Sequence, residues 1–94
     1  MEVKFRNIGS HIGTRTSGAK VRAGVVSAIS KNQKVTFNMK GVEVVSHCFA
    51  DECFAKLTTS FDLKTIKAHT TFVNASPFVK ASIASSFKER LSHK

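Results

Sequence analysis

The stretch VEVVSHCFADECFAKL, residues 42–57, places a β-branched run directly before an amphipathic segment. The first part has the composition of a strand that ends at Ser46, whereas the second repeats apolar residues every three or four positions. We therefore predict a strand followed by a helix over 49–60. His47 and Cys48 lie at the junction, which is either a catalytic site, a regulatory site or simply a capped helix start.

The segments before this stretch predict two further strands and a helix. EVKFR (2–6) and QKVTFNM (33–39) alternate apolar and polar side chains, as half-buried strands do. Between them, Thr16 or Ser17 is the expected N-cap of a helix that runs to about Lys31. Its apolar stripe consists of Val21, Val25, Ala28 and Ile29, with Lys20, Arg22 and Lys31 on the other side.

The segments after this stretch predict one more strand and one more helix. IKAHTTFVN (66–74) alternates as a strand. Ser76 then serves as N-cap and Pro77 occupies the first helical position. The apolar stripe of this last helix consists of Val79, Ile83, Phe87 and Leu91.

The order of these elements predicts an α/β fold in a single domain over residues 1–94. Strands that alternate with helices favour βαβ crossovers, hence a mainly parallel or mixed four-stranded sheet that carries three principal helices. Ninety-four residues are enough for one hydrophobic core. The residues expected in that core are Val21, Val25, Phe54, Leu57, Val79, Ile83 and Phe87.

Composition indicates a basic, intracellular protein. Fifteen Lys and Arg against six Asp and Glu give a formal net charge of +9, which attracts phosphates or an acidic protein surface. Cys48 and Cys53 are badly placed for a mutual disulfide and are expected to be reduced. Without a membrane-spanning run or an apolar signal region, we expect a cytoplasmic protein with no membrane partner.

The loops that leave the carboxyl ends of parallel strands gather at one edge, where open α/β folds bind ligands. We expect Arg15 to contact the segment from Ser46 to Asp51 at this edge. Arg15 then either binds an anion or hydrogen-bonds to loop carbonyls or Asp51. The candidate partner-binding or anion-binding residues are Thr14, Arg15, Thr16, Ser46, His47, Cys48, Asp51 and Asn74.

Catalytic and metal chemistry have weaker support at this edge. Cys48 at a helix start favours a thiolate, but no base with an orienting acid is identifiable. The i, i+4 pairs His47/Asp51 and Cys48/Glu52 supply too few ligands for zinc. We therefore expect no catalytic residue, no metal and no cofactor, and we interpret the acids as solvated groups that stabilise the helix dipole.

Nucleic acid remains an alternative partner because of the basic composition. The three central cations of a candidate basic face are Arg15, Lys20 and Arg22, and Lys31 and Lys34 could join them. The phenylalanines fall on core stripes, which leaves no aromatics for base stacking. Only nonspecific attraction to nucleic acid is therefore expected.

Three separated stretches resemble the STAS-like domains: KNQKVTFNMKGVEVVSHCFADECFAKL (31–57), GTRTSGAKVR (13–22) and FVNASPFVKASI (72–83). The resemblance is closest to the bacterial STAS-like domains of unknown function, which carry a Gly-Thr-Arg loop and a Ser-Phe-Ala-Asp-Glu type helix start. It implies a small non-enzymatic regulatory or protein-interaction domain in a partner-switching system like that of the anti-sigma-factor antagonists. An ATP-binding kinase-like regulator is the implied partner.

The resemblance also implies a phosphorylation switch, from which this sequence departs. Antagonist domains carry an Asp-Ser-Ser-Gly motif, and the acceptor position here falls on His47 or Cys48. Ser46 is the one hydroxyl in the motif and lies one position earlier. We expect binding that is constitutive or governed by oxidation of Cys48. The other classes left open are a basic nucleic-acid-associated protein and a small Cys48-dependent enzyme.

Overall fold

The computed structural model describes residues 1–9 and 11–92 of the chain. Within this part, strands and helices alternate, and two short 3-10 turns, Phe5–Asn7 and Ala55–Thr59, interrupt them. The elements are β1 (Glu2–Lys4), β2 (His11–Ile12), α1 (Arg15–Ser30), β3 (Val35–Asn38), β4 (Val44–Val45), α2 (His47–Cys53), α3 (Leu63–His69), β5 (Thr70–Val73) and α4 (Pro77–Ser92).

The strands in the described part of the chain form two parallel sheets. β3 is the central strand of a three-stranded sheet with the order β1-β3-β5, in which Val3, Phe37 and Phe72 are in register. β2 and β4 form a separate parallel pair. The α/β class is thus confirmed, but a single four-stranded sheet is not. The expected strand before Ser46 shortens to β4 and pairs with β2, a segment that the sequence pattern assigned to a loop.

Residues 63–69 form a helix, which takes up the first four positions of the strand predicted over 66–74. Asp62 caps α3, since its Oδ1 accepts the backbone N–H of Thr65 at 2.8 Å. Ile66 is buried beneath this helix, and the strand β5 begins only at Thr70. The part of the chain that the structure describes therefore contains four α-helices instead of three principal ones.

Helix starts follow side-chain capping. Ser46 caps α2 and Thr14 caps α1, because each side-chain oxygen accepts the backbone N–H three residues later. The α1 start at Arg15 is thus earlier than the predicted caps at Thr16 or Ser17, which lie inside the first turn. At α4 the prediction is confirmed, because the Ser76 hydroxyl accepts the N–H of Val79 at 3.2 Å.

α2 is shorter than the predicted helix over 49–60. It ends at Cys53 and continues as the 3-10 turn Ala55–Thr59. The predicted inward face is nevertheless correct, since Phe54 and Leu57 are fully buried. The side chains of Val21 and Phe87 are only partly buried, whereas the other predicted core residues are inside.

The core is centred on phenylalanine side chains. Phe5, from the 3-10 turn after β1, lies 5.6 Å from Phe54 and 5.8 Å from Phe37, measured between ring centroids. Phe49 contacts the Phe5 ring edge-on at 6.1 Å. This cluster joins the sheet to α2 and holds the start of α2 in place. No helix among the described residues is long and apolar enough to cross a membrane.

Candidate functional site

Two helix starts lie side by side at the carboxyl end of the β2–β4 pair. The Ser46 hydroxyl accepts the backbone N–H of Phe49 at 3.1 Å and donates to the carbonyl oxygen of Gly13 at 3.0 Å. The adjacent Thr14 hydroxyl accepts the N–H of Ser17 at 3.2 Å and donates to its hydroxyl at 2.8 Å. The loops before α1 and α2 are therefore joined by a side chain that also caps α2.

This position differs from the edge that the sequence predicted. The site follows the two-stranded sheet, whereas the carboxyl ends of β3 and β5 carry a separate group of amides. There, the Asn74 side chain donates to Asn38 Oδ1 at 3.1 Å, and Asn74 adopts a positive φ of 59°. Asn74 thus belongs to the end of the three-stranded sheet and does not line the clefts beside α2.

Asp51 is buried between two arginines from distant parts of the chain. Arg90 of α4 binds its carboxylate through two hydrogen bonds of 2.8 Å, from Nε to Oδ1 and from Nη2 to Oδ2. Arg15 of α1 adds a hydrogen bond of 3.1 Å from Nη1 to Oδ2. The expected contact of Arg15 with the segment from Ser46 to Asp51 is present, and it takes the form of an ion pair.

Glu52 lies next to Asp51 and has its own group of cations. Arg22 Nη1 lies 2.6 Å from Oε2 and also donates to the backbone carbonyl of Glu52. Lys56 Nζ lies 2.9 Å from Oε1, and Arg15 Nη1 lies 3.2 Å from the same oxygen. Arg15 therefore bridges the two acids, and the charge of each carboxylate is balanced by more than one cation.

The cations change the pKa of both acids in the same direction. Hydrogen bonds from Arg90, which outweigh the desolvation that burial imposes, lower the pKa of Asp51 to about 2. Hydrogen bonds from Arg22 and Lys56 likewise lower the pKa of Glu52 to about 2. Both acids are thus ionised at neutral pH although little of either residue is exposed.

Two sequence interpretations of these charges are wrong. Asp51 and Glu52 are 8% and 7% exposed, so they are buried ion-pair partners and not solvated acids of a helix dipole. Arg22 does not take the outer side of α1, because it reaches Glu52. A usable signal existed in the sequence: Arg90 follows the buried Ile83 by seven positions, which puts it on the inward face of α4.

Gly18 allows α1 to come close enough to α2 for these pairs to form. A Cβ at residue 18 would lie 3.1 Å from Glu52 Cβ and 3.2 Å from the carbonyl oxygen of Phe49. Arg15 and Arg22 are three positions before and four positions after Gly18, on the same face of α1. The close approach at Gly18 therefore presents both arginines to the acids of α2.

Above the ion pairs, the start of α2 is open to solvent. His47 and Cys48 are exposed, and His47 Nε2 lies 3.3 Å from Glu89 Oε2 on α4. Hydrogen bonds to Asp51 and Glu52 raise the pKa of Arg15, and the nearby Cys48 adds to this effect. Thr16 is exposed in the first turn of α1. A cleft of about 450 Å³ is lined by Arg15, His47, Asp51, Thr58, Thr59, Glu89 and Arg90.

An exposed phenylalanine that sequence reasoning missed adjoins this cleft. Phe78 is 61% exposed and, with His47, lines a second depression of about 290 Å³ against the small residues of α4. The signal was its position one residue before the buried stripe that begins at Val79, which turns it away from the core. We name the exposed side chains of His47, Cys48 and Phe78 the α2 entrance surface.

The thiols and acids offer no metal centre in the described part of the chain. No three His, Cys, Asp or Glu side chains there are close enough to hold a metal ion. Cys53 is fully buried, and this burial raises the pKa of its thiol. Every buried side-chain nitrogen or oxygen in the same residues has a hydrogen-bond partner, which is typical of a structural ion-pair network.

Comparison with known proteins identifies the family. A family model described as "STAS-like domain of unknown function (DUF4325)" matches residues 17–80, which include most of α1 and all of β3, α2 and β5. The chain therefore belongs to the STAS-like domain family, as the three sequence stretches indicated. No curated protein and no solved structure gives a significant match to this sequence.

Proposed function

We propose that the chain is a non-enzymatic regulatory domain that binds an acidic protein partner through the α2 entrance surface. The observation that carries this proposal is Phe78, a large aromatic side chain 61% exposed beside His47 at a capped helix start. Exposed aromatic side chains at a rigid site are typical anchors of protein interfaces. The partner envisaged is an ATP-binding kinase-like regulator, as in the partner-switching systems of related domains.

The charge of the chain supports an acidic partner. The formal net charge is +9. Positive charge around an apolar anchor steers the association of a partner that has the opposite charge. Steering of this kind depends on ionic strength. We therefore expect the association rate to fall as salt is added, while Phe78 determines mainly how slowly the complex dissociates.

The ion pairs of Arg15 and Arg22 favour a protein partner over nucleic acid. Arg15 and Arg22 were two of the three central cations of the predicted basic face, and both are bound to buried carboxylates. Their charge is largely offset within the fold, which leaves less for phosphate contacts. The same pairing weakens the alternative in which Arg15 binds a free anion.

The geometry around the cysteines gives little support to an enzyme. A nucleophilic thiol needs a base in hydrogen-bond reach and a group that orients the base. The His47 ring is directed to Glu89, and the second thiol, Cys53, is buried with a raised pKa. A Cys48-dependent hydrolase or transferase therefore remains the weaker alternative.

The cap at Ser46 supports binding that is not switched by serine phosphorylation. Its hydroxyl already makes two hydrogen bonds, one of which ties α2 to the loop at Gly13. A phosphate on this oxygen removes the proton that Gly13 accepts and adds about −1.5 to −2 charges. We expect constitutive binding, or loss of binding when the exposed Cys48 is oxidised.

The test is affinity capture from the source cells with the tagged wild-type chain and with Phe78→Ala, followed by calorimetry on the purified partner. Loss of a central aromatic anchor costs about 2 kcal/mol or more, hence about 30-fold in Kd. Ile8→Ala is the matched control, since Ile8 is also an exposed apolar side chain but lies outside the surface. Equal binding by Phe78→Ala and wild type would refute the assignment.

Two further measurements separate the alternatives. Salt-dependent retention of a DNA duplex at the affinity of the protein partner would favour the nucleic-acid class. Incubation of the chain with the captured partner and ATP, followed by mass spectrometry, tests whether Ser46 is phosphorylated. Stoichiometric phosphate on Ser46 that releases the partner would overturn the regulatory part of the proposal, whereas loss of binding on oxidation of Cys48 would support it.

A further inference from the structure

A second cavity lies on the opposite face of α4 from Phe78. It has a volume of about 530 Å³ and opens between β5, α3 and α4. At 100° per residue, the α4 side chains that line it project away from the face that carries Phe78. Those side chains are Lys80, Ile83, Ala84 and Phe87. The cavity is therefore separate from the α2 entrance surface.

One aromatic side chain of β5, Phe72, is open to the cavity, and the fully buried rings of Phe37 and Phe54 pack against it. Phe72 lies 4.9 Å from Phe37 and 5.2 Å from Phe54, and the rings of Phe37 and Phe54 are 5.1 Å apart, all between centroids. Packing on these two buried rings holds Phe72 in one arrangement. Leu63 and Phe87, which are partly buried, add apolar walls. The cavity presents a preformed apolar interior within the size range of about 300–1,000 Å³ that small-molecule sites have.

The polar side chains around the cavity are few. The Thr70 hydroxyl donates to the carbonyl oxygen of Ile66 at 2.7 Å, so its donor is already used. Lys67 on α3 and Lys80 on α4 are exposed, and their side-chain ammonium groups make no hydrogen bond or ion pair among the described residues. The cavity therefore combines an apolar interior with two uncompensated ammonium groups at its rim.

We propose that this cavity binds an amphiphile with a single hydrocarbon chain and an anionic head group, such as a fatty acid. The hydrocarbon chain would contact Phe72 and Phe87, and the head group would bind Lys67 and Lys80 by charge-assisted hydrogen bonds. A nucleotide fits less well, because the lining side chains other than the two lysines offer a base only the Thr70 hydroxyl, whose proton is already donated. The positive charge of the two lysines favours an anionic head group over a neutral or cationic one.

The probe is dodecanoate, titrated calorimetrically below its micelle concentration into the full chain. Two probes with the same hydrocarbon length, dodecyltrimethylammonium and dodecyl maltoside, test the head group. We expect saturable one-to-one binding of dodecanoate at least about tenfold tighter than either comparison probe, since charge-assisted bonds discriminate by at least that factor. Binding of all three with equal affinity, or no binding of dodecanoate, would overturn the proposal.

Two variants test whether dodecanoate binds in this cavity. Lys67→Gln with Lys80→Gln removes both charges, and Ala84→Phe fills part of the cavity from an exposed position. Both should weaken dodecanoate binding at least about tenfold. The matched controls are Lys64→Gln with Lys88→Gln and Ala68→Phe, at exposed helix positions that do not line the cavity. These should bind within about twofold of wild type, and circular dichroism melting checks that every variant is folded.

Other occupants of the cavity give different results. Binding to phosphatidylglycerol vesicles without binding of monomeric dodecanoate would mean that the lysines meet a membrane surface, which would overturn the proposal. If Ala84→Phe no longer binds the protein partner but still binds dodecanoate as wild type does, the proposal would also be overturned. The cavity would then be a binding site for a protein. Loss of dodecanoate binding in Ala84→Phe, with partner capture unchanged, would support the proposal.

Discussion

Replacing Gly18 by Ala tests the contact that brings α1 onto α2. The added Cβ would lie 3.1 Å from Glu52 Cβ, 3.2 Å from the Phe49 carbonyl oxygen and 3.3 Å from the Cys53 amide nitrogen. Two of these atoms belong to the backbone of α2, so no single side chain can turn away to make room. The two helices have to move apart.

The magnitude follows from a comparison with Gly24 on the same helix. A Cβ at residue 24 would have one neighbour in the described part of the chain, Met1 Cε, at an ordinary 3.5 Å. Alanine gains about 1 kcal/mol over glycine within a helix, and overpacking costs about 1–3 kcal/mol. Gly24→Ala should therefore stabilise the fold by up to about 1 kcal/mol, and Gly18→Ala should be about 1–3 kcal/mol less stable than Gly24→Ala.

Urea unfolding and thermal melting of the two variants measure this difference. For a chain of this size, 1 kcal/mol corresponds to about 4–8 °C in Tm, so Gly18→Ala should melt at least about 4 °C below Gly24→Ala. Displacement of α1 also moves Arg15 and Arg22 away from Glu52, so the pKa of Glu52 should rise in an NMR titration. Equal stability of the two variants, or a stabilised Gly18→Ala, would refute the packing argument.

Three further predictions concern the acids, the core and the thiols. Because folding holds the pKa of Asp51 and Glu52 at about 2, below their ordinary values of 3.8 and 4.5, their stabilisation is complete above pH 4.5 and lost towards pH 2. A urea midpoint that stays constant across this window would contradict it. Leu57→Ala, at a fully buried side chain, should cost about 2–5 kcal/mol in urea unfolding, and a cost below about 1 kcal/mol would contradict its burial. Iodoacetamide should label exposed Cys48 in the folded chain but buried Cys53 only after denaturation, and equal labelling in peptide mapping would exclude that difference.

Local signals in the sequence were sufficient to predict an element where a single side chain satisfies a backbone group close to it in the chain. The Ser76-Pro77 start of α4 is an example, because a hydroxyl cap and a proline at the first helical position need no distant contact. The alternation in β3 likewise places Val35 and Phe37 inside, on the same face of the strand. These features depend on neighbours within one turn or one strand, which the chain order contains.

The short elements could not be predicted from the sequence, because contacts with other parts of the fold decide their conformation. α3 has seven residues, too few to be stable alone, and burial of Ile66 supports the helix. The threonines and Phe72 that follow favoured a strand for the whole segment. β2 and β4 have two residues each, which is too short for an alternating pattern, and their pairing with each other was not visible.

The sequence by itself determined the α/β class, the inward faces of the long helices and the family to which the chain belongs. Only the tertiary structure decided the roles of the charges. Asp51 and Glu52 resemble ordinary acids of a helix, and their partners Arg15 and Arg90 lie 36 and 39 positions from Asp51. Burial of a carboxylate is favourable only when cations surround it, and that condition depends on how α1 and α4 pack on α2, not on any local pattern.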